Sequence, residues 1–209
     1  MVTIQANPSL RKFYTDDAGY ALADAVDTQL FNGFRTVNGG DGANEWTGAV
    51  IAGDGTTAFV DAAGNANSTP ITDAGIRRII QVLDDANMPM SDRFLVIPPV
   101  GRRVMMGLAR FTEQAFTGDG KPILNGKLGM VYGVSVHVTS NSPIPSLATT
   151  ARIGLLSHPD AVVLAEVSGP RVQTQYKLEY LATQLTADTI FGYGEVYDAG
   201  GVALAMPNA

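Results

Sequence analysis

The sequence predicts an α+β fold, with helices first, a helix–strand mixture in the middle and mostly strands towards the end. Two observations support this prediction. Apolar residues recur at every fourth position between residues 14 and 30, which is the spacing of one helix face. Valines alternate with polar residues between residues 134 and 139, which is the spacing of a strand.

The first predicted helix covers residues 8–34 and stops at Asn32-Gly33. One apolar stripe runs along this helix, and its acidic residues fall off that stripe. The stripe contains Tyr14, Ala18, Leu22, Val26 and Leu30. The acidic residues are Asp16, Asp17, Asp24 and Asp27.

Residues 35–70 are rich in glycine, with Asn and Thr between the glycines. Residues 49–51 and 58–60 are short apolar pieces that could form small strands. We therefore expect an extended loop or a loose hairpin on a surface. A loop of this length inside a compact domain is usually functional or disordered.

A second helix is predicted over residues 72–87, because Thr72 can serve as its N-cap and Asp73 complements the helix dipole. Its apolar face contains Ile76, Ile79, Ile80 and Leu83. A buried strand is expected at residues 94–97, and Pro98-Pro99 then starts another helix, since proline fits the first helical position. The predicted apolar face of that helix contains Val104, Leu108 and Phe111.

Strand patterns dominate the rest of the chain after a predicted turn at residues 118–122. Further strands are predicted at residues 161–165, 192–197 and 202–206. A less regular alternation predicts a strand through Tyr176, Leu178, Tyr180 and Ala182.

The composition excludes several classes of protein. The net charge of -6 and the pI near 4.8 argue against a dedicated nucleic-acid binder, which needs a basic patch. The absence of cysteine excludes disulfides and thiol chemistry. No signal-peptide pattern and no apolar run of about 18 residues are present, so no membrane partner is expected. Charged residues make up only 16%, against a usual share of about 25%, which favours surface buried against partners.

The residues of known catalytic sites do not occur at the required spacings. Residues 118–121 are similar to a phosphate-binding loop, but Pro122 stands where Ser or Thr should hold magnesium. His137 lies on the polar side of a predicted strand and His158 at a strand boundary, and neither has a neighbour at metal-ligand spacing. We therefore expect surface or hydrogen-bonded histidines, no catalytic, cofactor-binding or metal-binding residues, no cofactor and no enzyme activity.

Several charged groups have two readings. The pairs Arg77-Arg78 and Arg102-Arg103 each lie on a predicted helix, where they form either a solvated face or a charged contact with a neighbouring subunit. Asp54 and Asp61 lie in the glycine-rich segment, but this segment lacks the alternating acids and the terminal Glu of a calcium loop.

Four passages, in this order, resemble tailed-bacteriophage major capsid proteins with the Hong Kong 97-type fold. Residues 20–27, YALADAVD, are similar to the end of that family's long spine helix. Residues 83–99 contain a helix end, an Asn-Met-Pro turn and a strand ending in proline, as in many of these proteins. Residues 125–141 resemble the family's glycine- and valine-containing strand with its Ser-Asn turn. Residues 158–165, followed by a long strand and residues 191–196, complete the likeness.

The resemblance implies a subunit with two parts. A peripheral domain, residues 1–72 and 164–192, would hold the spine helix, the glycine-rich loop and the long strand. An axial domain, residues 73–163 and 193–209, would hold a central sheet flanked by helices. Members of the family usually carry an N-terminal arm and an extended hairpin before the spine helix, and this sequence resembles a form without them.

The function implied by the resemblance is that of a structural major capsid protein, which self-assembles into the icosahedral shell around phage DNA. Its partners would be identical subunits in hexamers and pentamers, with scaffolding, portal and decoration proteins and loose contact with packaged DNA. It would be assembled in the host cytoplasm and located in the virion. The expected contact regions are the spine-helix face, residues 35–70, and the loops at residues 118–121 and 141–145.

Three alternatives stay open. An encapsulin-like compartment shell protein uses the same fold around an enzyme cargo. An α+β enzyme with a site that the sequence does not reveal would need a buried pair of titratable groups in a pocket. A monomeric binding module would stay a single species at high concentration.

Overall fold

The computed structural model describes residues 8–34, 50–61, 67–108, 129–145 and 147–208. The helices of these ranges are α1 (Pro8–Gly33), α2 (Asp73–Asp85) and α3 (Pro99–Met106). The strands are β1 (Ile51–Ala52), β2 (Phe94–Ile97), β3 (Met130–Val131), β4 (Val134–Val138), β5 (Ala151–Ser157), β6 (Val162–Lys177), β7 (Ala182–Glu195) and β8 (Gly201–Pro207). No described helix is both long and apolar enough to cross a bilayer.

Six strands form one mixed sheet in the order β1-β8-β5-β2-β4-β3. β5 lies at its centre, antiparallel to both β8 and β2, and its register pairs Leu155 with Ala203 and with Val96. The pairs β1–β8 and β2–β4 are parallel, while β3 and β4 form a hairpin. The ladder from β5 to β8 extends over the full length of both strands, so this pair is the best-connected part of the sheet.

The two faces of this sheet bury different partners. On one face, α2 and α3 contribute buried residues such as Ile79 and Met105 to a core shared with Leu156 and Leu204. On the other face, a smaller core joins Val50 and Phe59 to Ile153 and to the alanines of β5 and β8. Successive side chains of a strand point to opposite faces, which is why β8 supplies Leu204 to one core and Ala205 to the other.

Helix α2 begins where the sequence predicts, and the reason is local. The Thr72 side chain accepts a hydrogen bond from the Gly75 amide at 3.1 Å, which satisfies one of the free donors of the first turn. Ile76, Ile79 and Leu83 are buried, as predicted, because they share one face of the helix. The Thr72 amide also donates to the Gly53 carbonyl at 2.9 Å, which ties the helix start to the glycine-rich segment.

The turn between α2 and β2 is built around the buried side chain of Arg93. Its Nε donates to the Pro89 carbonyl at 2.8 Å and its Nη2 to the Met88 carbonyl at 2.7 Å. Its Nη1 lies 2.7 Å from an Asp84 carboxylate oxygen. One side chain therefore satisfies two turn carbonyls and joins the helix end to the strand start.

The chain divides into two compact units. The helix–ribbon unit comprises Met1–Leu30 and Leu164–Tyr193, which contain most of α1, β6 and β7. The sheet unit comprises Phe31–Val163 and Gly194–Ala209. The described parts of residues 31–72 therefore fall in the sheet unit, whereas the sequence grouped them with the long helix. The peripheral and axial roles of the two parts stay predictions.

Three local expectations need correction, and one strand was missed. Helix α3 ends at Met106, so Leu108 lies beyond it; Met105 supplies its buried contact, and Phe111 lies outside the described residues. The predicted strand through residues 176–182 is interrupted: Tyr176 lies in β6, a 3₁₀ helix covers Leu178–Tyr180, and β7 begins at Ala182. The predicted strand at 161–165 starts at Val162, since Ala161 ends a 3₁₀ turn. Strand β5 was not predicted at all.

Candidate interaction surfaces

Strands β6 and β7 form a separate two-stranded sheet, which we call the ribbon. Along β6, Val162 and Ser168 are half-buried and every other residue is exposed. Its exposed apolar side chains include Leu164, Val167 and Val172, and Val167 is 81% exposed. Because Leu164 and Val167 are an odd number of positions apart, apolar side chains lie on both faces of this strand.

Side chains join the two strands of the ribbon. The Arg171 Nε donates to a carboxylate oxygen of Asp188 at 2.6 Å, and the Thr189 hydroxyl donates to the Ser168 carbonyl at 3.1 Å. Strand β7 is the better covered strand, since Ala187, Asp188 and Thr189 are half-buried.

The end of the ribbon exposes several large apolar side chains. Leu178 is 77% exposed, Tyr180 is 73% exposed and Leu181 is 70% exposed. Leu181 also has a φ of 47°, in the left-handed region that a residue with a side chain rarely occupies. This turn therefore has two unfavourable features, namely apolar side chains exposed to water and a left-handed backbone conformation at Leu181.

Helix α1 has the predicted stripe, with one exception. Ala18, Leu22, Val26 and Leu30 are half-buried, whereas Tyr14 is exposed and packs edge-to-face on Phe13 with ring centroids 5.7 Å apart. Asp16, Asp17 and Asp27 are exposed, as their positions off the stripe predict, and Asp24 is half-buried.

The loop between β4 and β5 is described at residues 139–145 and 147–150, and hydrogen bonds hold it near both ends. The Arg152 Nη1 donates to the carbonyls of Ser140 and Ser142, at 3.0 Å each. At the other end, one carboxylate oxygen of Asp61 accepts from the Leu147 amide at 3.1 Å and from the Ala148 amide at 2.6 Å. The predicted contact loop at residues 141–145 lies within this segment. The other predicted loop, residues 118–121, lies outside the described residues.

The glycine-rich segment is described only in part, at residues 50–61 and 67–70. Ile51 bridges to Ala58 in antiparallel fashion, which agrees with a loose hairpin. Val50 and Phe59 are buried, so this part packs on the sheet and does not lie free on a surface.

Neither of the two histidines belongs to a metal-binding cluster among the described residues. His137 is exposed on β4. His158 is buried, its Nδ1 accepts from the Asp160 amide at 3.3 Å, and its own amide donates to the Gly200 carbonyl at 3.0 Å. Within the described ranges, no three acidic or histidine side chains lie close enough together to hold a metal ion.

The exposed arginines of α2 have partners within the same helix. Arg77 lies 3.0 Å from the Asp73 carboxylate one turn away, and Arg78 donates to Gln81 at 3.1 Å. Arg102 and Arg103 are exposed on α3. These contacts agree with a solvated helix face, and they leave the reading as a charged contact with a neighbouring subunit untested.

Asp54 is the one described group with a clearly shifted pKa. The Thr57 amide donates to its carboxylate at 3.0 Å, the Thr56 amide does so at 3.0 Å, and the Thr57 hydroxyl donates at 2.7 Å. These hydrogen bonds, the one from the Thr57 amide foremost, lower the Asp54 pKa from 3.8 to about 2, because they stabilise the charged form. All three donors are neutral and local, so this carboxylate shapes a turn.

Solved structures provide the comparisons, since no family model and no curated protein matches the sequence. A chain from Mycobacterium phage Che8 is 18% identical, with a TM-score of 0.67, and the match covers 91% of this chain and 61% of that one. The capsid structure of Cyanophage P-SCSP1u is 16% identical, with a TM-score of 0.71 and coverage of 99% and 69%. The mature capsid of bacteriophage PhiM1 is 15% identical, with a TM-score of 0.66 and coverage of 100% and 68%.

The match extends over nearly the whole of this chain, and this chain spans 61% of the length of the Che8 chain. At these identities the comparison concerns the fold. The match with the PhiM1 capsid covers 100% of this chain, so it includes the mixed sheet, its helices, the long helix and the ribbon. The chain therefore has the phage capsid fold of the Hong Kong 97 type, as the resemblance in its sequence predicted.

Proposed function

We propose that this chain is the shell-forming part of a phage major capsid protein, whose function is repeated non-covalent contact with identical subunits. The fold alone does not establish this function, because one fold can host unrelated functions. The observation that carries the proposal is the ribbon. Its strand β6 exposes apolar side chains on both faces along 16 residues, which is the surface of an incomplete structure.

The physical reason is the marginal stability of such a ribbon in water. Two-stranded sheets need further strands or a packed face for independent stability. Exposed strand edges are also ready to pair with another chain, and single proteins usually protect them. When neighbouring subunits cover the ribbon, its apolar side chains are buried and its strand edges are protected. In a symmetric assembly the same contact occurs in every copy.

The structures with the same fold support the choice of partner. The P-SCSP1u and PhiM1 structures are capsids, in which many copies form a shell. We infer the same role for this chain, with hexamers and pentamers as its assemblies and the virion as its location. Scaffolding, portal and decoration proteins, loose contact with packaged DNA and assembly in the host cytoplasm belong to the same proposal.

A non-enzymatic role is also part of this proposal. The pKa of Asp54 is lowered by neutral donors of Thr56 and Thr57. The ring of His158 accepts from the Asp160 amide, and its backbone amide donates to the Gly200 carbonyl. Neither arrangement joins a nucleophile, a base and an orienting group, which catalysis requires. The role is tested by purified assemblies, which should form without any added substrate or cofactor.

The direct test is electron microscopy and sedimentation velocity of the purified chain. We expect rings, sheets or shells for the unmodified chain and loss of these species for Val167→Lys, because a charge would then be buried without a partner. The matched control is Met90→Lys, since Met90 is 76% exposed in a turn of the sheet unit. This control should still assemble. A chain that stays monomeric at every concentration contradicts the proposal.

The neighbouring genes separate a phage capsid from an encapsulin-like compartment. Terminase and portal genes beside this one support the phage capsid. A cargo-enzyme gene in their place supports the compartment.

A further inference from the structure

The segment between β4 and β5 contains the predicted contact loop at residues 141–145. Residues 139–151 contain no Asp, Glu, Lys or Arg, yet Ile144 and Leu147 are exposed on it. Uncharged, partly apolar surface is typical of the centre of protein interfaces, where charged residues are depleted. This loop therefore has the composition of a contact surface.

The first half of the loop is fixed by its own strand. Arg152 holds the carbonyls of Ser140 and Ser142, and its Nε donates to the Asn208 side chain at 2.9 Å. The Ile153 amide donates to the Pro143 carbonyl at 3.0 Å, and the Ser142 hydroxyl donates to the Ile153 carbonyl. These bonds hold the backbone up to Pro143.

The second half of the loop is fixed by Asp61, which lies 86 and 87 positions away in sequence from Leu147 and Ala148. A single carboxylate oxygen accepts from both amides, and hydrogen bonds to a charged acceptor are stronger than neutral ones. The second carboxylate oxygen is buried and has no hydrogen-bond partner among the described residues. Ala148 is itself buried in the smaller core, so the loop is anchored beside its exposed Leu147.

We propose that Asp61 is a positioning residue, which holds Leu147 and Ala148 in the one conformation in which the loop contacts a second copy of this chain through Ile144 and Leu147. This proposal rests on the proposed function, which supplies the second copy as the partner. Ordering a flexible loop costs conformational entropy, so a loop that is already ordered binds with a smaller entropic loss. Asp61 therefore acts on association through the loop and does not itself touch the partner.

The test compares Asp61→Ala with two reference variants. Asp61→Asn keeps an oxygen that can accept from both amides but removes the charge, so it should fall between the unmodified chain and Asp61→Ala. Asp54→Ala is the matched control, because Asp54 also accepts from two backbone amides in the same segment but does not contact the loop. Two readouts are needed, namely hydrogen exchange at the Leu147 and Ala148 amides and the concentration at which the full chain associates.

We expect Asp61→Ala to exchange these two amides at least roughly tenfold faster, since it removes bonds to a charged acceptor. Its midpoint of association should rise by a similar factor. Asp61→Asn should show a smaller rise, and Asp54→Ala should stay near the unmodified chain. Ile144→Ser should weaken association without altering amide exchange, which keeps the test decisive if Asp61→Ala folds poorly.

Two failures are distinguishable. If the unmodified chain associates, and Asp61→Ala and Ile144→Ser associate equally well, this inference is wrong and the proposed function stands. If the unmodified chain does not associate at all, the proposed function itself is wrong. Binding of a different protein to the loop, without any effect on self-association, also overturns this inference.

Discussion

The contact between Gly75 and Gly53 allows a stability prediction to be worked out from distances. A Cβ atom at Gly75 would lie 2.0 Å from the Gly53 carbonyl oxygen and 2.9 Å from the Gly53 carbonyl carbon. Both are backbone atoms, so no side chain can rotate out of the way. The substitution Gly75→Ala therefore requires the 53–55 backbone to move.

The size of the effect follows from what holds Gly53 in place. Ordinary contact begins near 3.4 Å, so the oxygen must move by roughly 1.4 Å. That movement breaks two hydrogen bonds, from the Thr72 amide to Gly53 and from the Gly53 amide to Ala205, at about 1 kcal/mol each. Overpacking adds about 1–3 kcal/mol, and the better helix propensity of alanine returns about 1 kcal/mol. The net destabilisation is about 2–4 kcal/mol.

The assay is urea unfolding of the dissociated chain, followed by far-ultraviolet circular dichroism. With a slope near 2 kcal/mol per molar, Gly75→Ala should lower the midpoint by about 1–2 M. The matched control is Gly19→Ala in α1, where nothing lies within 4 Å of the added methyl group. This control should be neutral or stabilising by up to about 1 kcal/mol. Equal midpoints for Gly75→Ala and the unmodified chain would refute the reasoning.

Three further predictions concern single side chains. Arg93→Ala should destabilise the chain by about 2–4 kcal/mol in urea unfolding, because the carbonyls of Met88 and Pro89 and the Asp84 carboxylate lose their partner. Its control, Arg103→Ala at an exposed position, should change the free energy of unfolding by no more than about 0.5 kcal/mol. Leu181→Gly should raise the thermal midpoint of the dissociated chain by relieving a left-handed φ, and a lower midpoint would contradict the strain argument. The lowered Asp54 pKa stabilises the chain above its ordinary value of 3.8, and this contribution is lost as the pH falls through about 2. Asp54→Asn should therefore be less stable than the unmodified chain at pH 6, with the difference shrinking between about pH 4 and pH 2 in denaturation experiments.

Most helices and several strands could be predicted because their signals are local. Thr72 caps α2 with its own side chain, and the four predicted apolar positions of that helix follow from 3.6-residue spacing. Pro99 is the first residue of α3. Proline fits this position because the N–H of the first helical residue has no acceptor within the helix, so nothing is lost when it is absent. In each example the deciding contacts lie within one or two turns of the chain.

Strand β5 could not be predicted, because it is buried on both faces. A strand covered on both faces shows no alternation, and Arg152 and Gly154 interrupt its apolar run. Gly154 is explained only by the fold, since a Cβ atom there would lie 2.7 Å from the Met206 methyl group. The opposite error occurred at Tyr176, Leu178 and Tyr180, where alternating apolar residues are exposed at the end of a ribbon and mark no buried face.

The interaction surfaces were predicted unevenly. The loop at residues 141–145 was predicted as a contact region, and the structure places it in an uncharged segment held from both ends. Asp61, the residue that holds this loop, was considered only in the comparison with a calcium loop, whose pattern the segment lacks. No sequence pattern joins a carboxylate to two amides more than 80 positions away.

The sequence by itself determined where α1 and α2 begin and end, where α3 begins, which face of α2 is buried and that the chain is sparsely charged, because spacing and capping act between residues a few positions apart. Only the tertiary structure decided that β5 is the central strand, that Gly53 and Gly75 touch, and that Asp61 holds the loop before β5. These features depend on contacts between segments far apart in sequence. Such contacts form only when the whole sheet has closed around its core, so no local pattern encodes them.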